Sequence, residues 1–314
     1  MPRSKIEWTQ HTWNPVTRCT KISDGCQNCY AENMAKRFGG EDAFKVTLHP
    51  EKLDIPLKRK KPTTYFVCSM SDLFHKDVPD DFIISVFNAM ANAYALHGHI
   101  FQVLTKRPER MRDIVQKIEL NLIEQRKPIT KENGFTERTV TFSFPLQGIW
   151  LGVTAENQEE ANHRIPILLD IPAALRFVSV EPMLEKINLS YLAYSVQKYS
   201  FEDIGEVDIE VIDALNGKKA LFDSNFVFRI PLVINNHSKL DWVICGGESG
   251  QRARPLDPRW VKSLQEQCSQ ANVPFFFKQR GEFTCKNGEL IRVGKKEAGY
   301  LIDGKEYSEM PKGI

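Results

Sequence analysis

The chain has 314 residues, 42% of them hydrophobic and 26% charged, with a formal net charge of +2. That length carries one large domain or two modest ones, and so small a charge does not by itself demand a nucleic-acid partner. No apolar run approaches the ~18 residues that span a bilayer, and the start, MPRSKIEW, lacks the apolar core of a secretion signal, so a cytoplasmic protein without a membrane partner is expected.

Residues 7–19 mix Trp8, Trp13, Val16 and threonines, which suits a strand leading into a loop around Pro15. Cys19, Cys26 and Cys29 follow in a C-x6-C-x2-C pattern. Seven cysteines in a long chain without a secretion signal favour metal binding over disulfides. Three thiolates are one short of a closed structural zinc site. They either borrow a fourth ligand or leave a metal position open. From Tyr30 the pattern turns helical, with Tyr30, Met34 and Phe38 on one face and Gly39-Gly40 as the stop.

Short apolar strands then alternate with helices. Strands are expected at 65–70, 99–105, 149–154, 175–180, 241–246 and 273–278, and helices at 80–97, 108–126, 158–169 and 258–271. Counting the first segment, seven strands make βαβ units with a parallel sheet, which repeated right-handed crossovers curl into a partial or full (β/α) barrel. A doubly wound open sheet is the alternative. Residues 127–147 read as a loop or small hairpin, and 190–239 as an inserted small subdomain with an Asn216-Gly217 hairpin signal. The barrel is thus expected over 1–281. A C-terminal extension over 282–314, with turns at Asn287-Gly288 and Asp303-Gly304, forms a small antiparallel cap. The run 58–61 reads as a solvated loop.

In such sheets active sites form at the carboxyl ends of the strands. The residues expected there are the three cysteines; Ser69, Ser71 and Asp72; Thr105, Lys106 and Arg107; Thr154 and Glu156; Glu181; Gly246 to Glu248 with Arg252 and Arg254; and Lys278 with Arg280. Lysine, arginine and glutamate beside core strands suit a zwitterionic cofactor and an anionic substrate. Cys68 and Cys245 are expected inside strands as small hydrophobes, and Cys268 half-buried on a helix. His11 and His75 are the nearest candidates for a fourth zinc ligand, while His97 and His99 read as structural.

The segments WNPVTRCTKISDGCQNCYAENMAKRF, SMSDLFH, LTKRPERM, GVTAEN, SVEPML, DWVICGGESGQRARPLDPRWV and PFFFKQRGE resemble a phage- and prophage-associated three-cysteine-motif family. That family is a domain of unknown function within the radical SAM (S-adenosylmethionine) superfamily. The resemblance implies a 4Fe-4S cluster on Cys19, Cys26 and Cys29, with one iron left for S-adenosylmethionine. It implies reductive cleavage of that cofactor to a 5'-deoxyadenosyl radical, with an external electron donor and room for a partner protein. Ser69, Ser71 and Asp72 fall where the superfamily holds the methionine amine, although its Gly-Gly-Glu motif is absent. Thr154 and Glu156 fall at the ribose contacts, with Thr105 beside them. Tyr30 is the aromatic nearest the place of the adenine contact, and Arg254 is assigned to a carboxylate. Lys278, Glu181 and Lys106 are the candidates for catalysis.

The sequence departs from these patterns at four points. The first cysteine gap is six residues where three is commonest, and Asn28 stands where an aromatic residue often precedes the third cysteine. Arg18 stands where the narrower family has glycine, and Arg280 where it has tryptophan. The leading expectation is a radical SAM enzyme acting on a nucleic acid or nucleotide, the substrate class resting on the basic residues Lys106, Arg107, Arg252, Arg254, Lys278 and Arg280. The alternatives are a non-catalytic nucleic-acid-binding phage protein with a structural zinc, and a barrel enzyme of other chemistry whose cysteines only order a loop.

Overall fold

Continuously apolar strands bury both faces, and only helices on one side and a filled interior on the other satisfy them. The computed structural model, which describes residues 3–38, 45–125, 144–201, 205–222, 232–235 and 237–311, has that arrangement. The chain begins with β1 (His11–Trp13), β2 (Val16–Thr17), the cysteine loop, α1 (Tyr30–Phe38), β3 (Thr47–Leu48) and α2 (Ile55–Lys58). Next come β4 (Thr64–Val67), α3 (Asp80–His97), β5 (Ile100–Thr105), α4 (Pro108–Gln125), β6 (Ile149–Thr154), α5 (Gln158–Asp170) and β7 (Leu175–Val180). The insertion holds β8 (Leu192–Phe201), β9 (Gly205–Asp213), β10 (Lys218–Phe222) and β11 (Leu232–Ile234). After it come β12 (Trp242–Gly246), α6 (Pro258–Gln270), β13 (Phe275–Gln279), β14 (Phe283–Lys286), β15 (Glu289–Arg292) and α7 (Lys295–Ala298).

Seven strands form one sheet in the order β1-β4-β5-β6-β7-β12-β13, and every neighbouring pair is parallel. The order never doubles back, so the sheet curls one way into a half-barrel with β1 and β13 as its two edges. A doubly wound order is excluded. Period-two alternation divides the strand residues between two cores. Leu151 and Val153 of β6 pack outward with the helices. Trp150 of the same strand joins Phe177, Trp242, Ile244 and Phe276 on the concave face. Trp8 closes this layer, its ring 6.2 Å from that of Trp242. Gly152 gives Phe177 its room, since a Cβ there would lie 2.5 Å from the ring.

Capping chemistry fixes the helix starts. Asn157 accepts from the Glu160 amide at 2.8 Å before α5, and Asp257 accepts from that of Arg259 at 2.8 Å before α6. Among the described residues no helix is long and apolar enough to cross a membrane.

The structure refines several expectations. The strand expected to reach residue 70 stops at Val67, and Cys68 turns off it at φ 58°, buried but outside the strand. Cys268 is fully buried rather than half-buried. A small antiparallel ribbon of β2 and β3 was not foreseen. Gly39-Gly40 and residues 127–143 lie outside the described residues. The insertion is a four-stranded antiparallel sheet in the order β11-β10-β9-β8, anchored to the outer core through Leu192, Ile212 and Leu215. Its expected hairpin forms with a longer turn. Asp213 Oδ1 accepts from the amides of Leu215 (3.2 Å) and Asn216 (3.0 Å), and only Gly217 is left-handed, at φ 65°. The tail hairpin β14–β15 does turn on two left-handed residues, Asn287 at φ 53° and Gly288 at φ 84°. Beyond it the chain returns along β13, where the Phe277 amide donates to Tyr307 O at 2.8 Å and Phe276 and Ser308 form an antiparallel bridge. That covers an otherwise open sheet edge.

Candidate functional site

The cysteine loop leaves β2 over the carboxyl edge of the sheet and ends at the start of α1. Cys26 lies in a single 3-10 turn, Asp24–Cys26, closed by its amide donating to Ser23 O at 2.9 Å. All three thiols are free and partly exposed. They share one cavity of about 290 Å³ with Arg18, Lys21 and Met70. Arg18 in that wall offers positive charge to an anionic thiolate group, whereas Lys21 is already paired at 2.9 Å with Glu32, which lines the same cavity. Burial pushes the Cys19 thiol up to about 11, and the Arg107 guanidinium, 3.7 Å from the sulfur, pulls the other way. A ligand must bind as thiolate, so metal uptake would release protons here.

The donor set fits an iron–sulfur cluster by its chemistry: three soft thiols on one shared cavity, with Arg18 in its wall. Among the described residues no three His, Cys, Asp or Glu side chains are gathered as the ligands of a single ion would be. Neither histidine considered as a fourth zinc ligand turns to the sulfurs. His75 is fully buried with Nε2 2.7 Å from Thr20 Oγ1, and its Nδ1 accepts from the Asp77 amide at 3.2 Å. His11 is buried in β1, its ring 6.0 Å from that of Tyr65. His97 and His99 are structural as expected, each bonded through Nε2 to backbone oxygens of the 56–59 segment.

Most of the polar groups expected at the strand ends hold this loop in place. Asp72 accepts from Thr105 Oγ1 (2.8 Å), the Phe74 amide (2.9 Å) and Arg107 Nη1 (2.7 Å), so its carboxylate is saturated. Arg107 in turn donates to Thr20 O at 3.0 Å. Glu248 accepts from Asn28 Nδ2 at 3.1 Å and from Arg254 Nε at 3.0 Å. Arg254 continues to Gln27 Oε1 at 3.2 Å and Asp24 O at 2.9 Å. Glu156 is fully buried and paired with Lys106 and, at 3.0 Å, with Arg164. Burial works to raise its pKa, but the two cations prevail and hold it below the ordinary carboxylate value. Glu248 is likewise lowered, with burial opposed by the hydrogen bonds from Arg254.

The structure therefore brings Asp72, Thr105, Lys106, Glu156 and Arg254 together with the cysteines, as supports of the loop. The other expected residues are placed differently. Ser69 Oγ donates to Asn14 Oδ1 at 3.2 Å, and Ser71 Oγ to Arg18 O at 2.9 Å. Thr154 is buried on the concave face, and its carbonyl accepts from Arg164 at 2.7 Å. Tyr30 stands 63% exposed at the head of α1, where an apolar face was expected to be covered. Glu181 and Lys278 form a separate ion pair of 3.3 Å on the β7–β13 side, where both remain partly exposed.

Ser23, Gly25 and Asn28 support the loop without having been expected to do so, and Glu248, expected at a strand end, is the partner of Asn28. Their partners lie as much as 224 residues away in sequence. Arg18 adopts φ 70°, a left-handed conformation that glycine takes at little cost, which accounts for the glycine expected there. Arg280 donates to Leu301 O in the tail.

Comparison with known proteins gives one family. No curated protein matches the chain, and no solved structure matches it. A family model described as "Protein of unknown function (DUF5131)" matches residues 3–311, nearly the whole chain. The chain belongs to that family.

Proposed function

We propose that the chain holds a 4Fe-4S cluster on Cys19, Cys26 and Cys29 and acts with S-adenosylmethionine as a radical SAM enzyme. The observation that carries this reading is three free thiols on one cavity at the carboxyl edge of an open parallel barrel. When bound with one iron position free, such a cluster supplies the reductive cleavage of S-adenosylmethionine, fed by an external electron donor.

The chain's own part in this reading is placement. Arg18 lines the cavity with the sulfurs and offsets part of their negative charge, while the Lys21–Glu32 pair beside it adds no net charge. The saturated Asp72 and buried Glu156 are less suited to ligand contacts than the resemblance implies, because their oxygens already have partners. Glu181 and Lys278 suit a ligand better. Their 3.3 Å pair is partly exposed, so a zwitterion can exchange partners with it, its amine taking Glu181 and its carboxylate Lys278.

The proposed substrate is a nucleotide or nucleic acid. In support stand the basic residues at the strand ends. Lys106, Arg107, Arg254 and Lys278 are already paired with carboxylates, so a phosphate there competes with Glu156, Asp72, Glu248 or Glu181. The test is anaerobic reconstitution with iron and sulfide, then reduction with S-adenosylmethionine present. Formation of 5'-deoxyadenosine is expected. A protein that takes up the cluster yet forms none is not a radical SAM enzyme.

A further inference from the structure

The resemblance gives Glu156 a contact to the cofactor ribose, but its surroundings point to another task. Its side chain has no exposure, and both carboxylate oxygens are committed. Oε1 accepts from Ser23 Oγ at 2.8 Å and is paired with Lys106, while Oε2 accepts from Arg164 Nη1 at 3.0 Å. Arg164 is buried as well, and its Nη2 pairs with Glu160 at 2.6 Å. Two carboxylates thus face two cations and leave no net charge in the buried group.

Gly25 of the cysteine loop lies directly against this carboxylate. A Cβ on Gly25 would fall 2.2 Å from Glu156 Oε1, 2.3 Å from Cγ and 2.6 Å from Cδ. Real Cβ contacts do not come that close, and the obstacle is a side chain pinned by two cations. Glycine is therefore demanded by space. The Ser23 hydroxyl donates to Glu156, which leaves its oxygen, 3.8 Å from Cys26 Sγ, free to accept from that thiol. A chain of contacts thus runs from a fixed buried carboxylate through Ser23 to Cys26, with Gly25 as the close fit between them.

We propose that Glu156 is the positioning residue of the cysteine loop, seating Ser23 and Gly25 so that Cys26 faces the shared cavity, and that it does not contact the cofactor. The seating concerns the loop itself; only its consequence for a bound cluster rests on the function proposed above.

Hydrogen exchange of the amides of residues 19–29 tests it in the full-length protein without metal. Ser23→Ala, Gly25→Ala and Glu156→Gln are each expected to speed exchange there roughly ten-fold, as loss of one charge-assisted hydrogen bond would, while exchange in α3 stays unchanged. Gly25→Ala added to Glu156→Gln is expected to produce little more than either alone, because both break one seat. Should Glu156→Gln fail to fold, the Ser23 and Gly25 variants decide. Exchange at wild-type rates in both overturns the proposal. After anaerobic loading with iron and sulfide, the same variants are expected to retain less iron than the wild type. A wild type that retains no iron defeats the cluster reading and leaves the exchange result to judge the seat.

Discussion

At the amino ends of its strands the half-barrel is closed by rings; at the carboxyl ends it is closed by ion pairs. Trp242 lies within 6.3 Å, ring to ring, of Trp8, Trp150, Phe177 and Phe276, a floor held by apolar packing. Above it, Asp72–Arg107, Glu156–Lys106–Arg164 and Glu248–Arg254 fasten the cysteine loop. The difference separates two jobs. The floor supplies stability through buried area, while the charged edge fixes where three thiols stand, because directional bonds specify position as apolar contact cannot. A residue rich in charge at a strand end is then first a candidate for holding the site and only second for acting in it.

Substitutions at the two ends sharpen this contrast. Trp242→Ala removes the centre of the floor and is expected to cost about 3–5 kcal/mol in denaturant unfolding. Below the transition it should leave the alkylation rate of Cys26 and Cys29 unchanged; faster alkylation would couple the two ends. Glu248→Ala strips acceptors from Asn28 and Arg254 and is expected to cost about 2 kcal/mol. Its diagnostic effect is the reverse pattern, a marked rise in thiol alkylation for a modest loss of stability.

Smaller effects follow from backbone and titration. Arg18→Gly relieves a left-handed residue and is expected to stabilise by up to about 1 kcal/mol, less what is lost with its 3.3 Å contact to Thr47 Oγ1. Thermal unfolding measures the balance, and destabilisation would show that the Thr47 contact outweighs the strain. Each end also buries a histidine whose pKa is shifted. Burial lowers His75 at the loop, aided by Arg107, and burial lowers His99 beside α2. A folded pKa below the unfolded ~6.5 means that the unfolded chain binds more protons beneath that value. The stability so contributed is full above pH ~6.5 and falls as the pH drops below it. His99→Gln, which can still donate to Pro56 O and Arg59 O, is expected to flatten the stability profile below pH ~6.5 without changing thiol alkylation. An unchanged slope would mean that His99 is not the group that titrates.

Much of the scaffold was legible in the sequence because each element carries its own pattern. IWLGVT and LRFVSV gave β6 and β7 to the residue, and Pro108 and Pro258 marked helix starts. The parallel order followed from alternation of strands with helices. The turn at Asp213 came out longer than the Asn-Gly signal implied, since the Asp213 side chain accepts three hydrogen bonds from Leu215 and Asn216. At the site, residue type revealed which groups gather at the strand ends but not what they bind. Glu156 reads equally as a ribose ligand and as a seat for Gly25, and only the 133-residue separation closed in space by Ser23 distinguishes them. Tyr30 reads from its spacing as part of an apolar face, yet at the head of α1 it is exposed.

The central claim is that the loop presents its three thiols to one metal cluster. Metal content and the absorption spectrum of the full-length protein, purified without oxygen, test it most directly. The account predicts about four irons and four sulfides per chain with broad absorption near 400 nm, as one 4Fe-4S cluster gives, and loss of both on Cys19→Ala, Cys26→Ala or Cys29→Ala. Stoichiometric zinc without iron, or iron that all three variants retain, would contradict it.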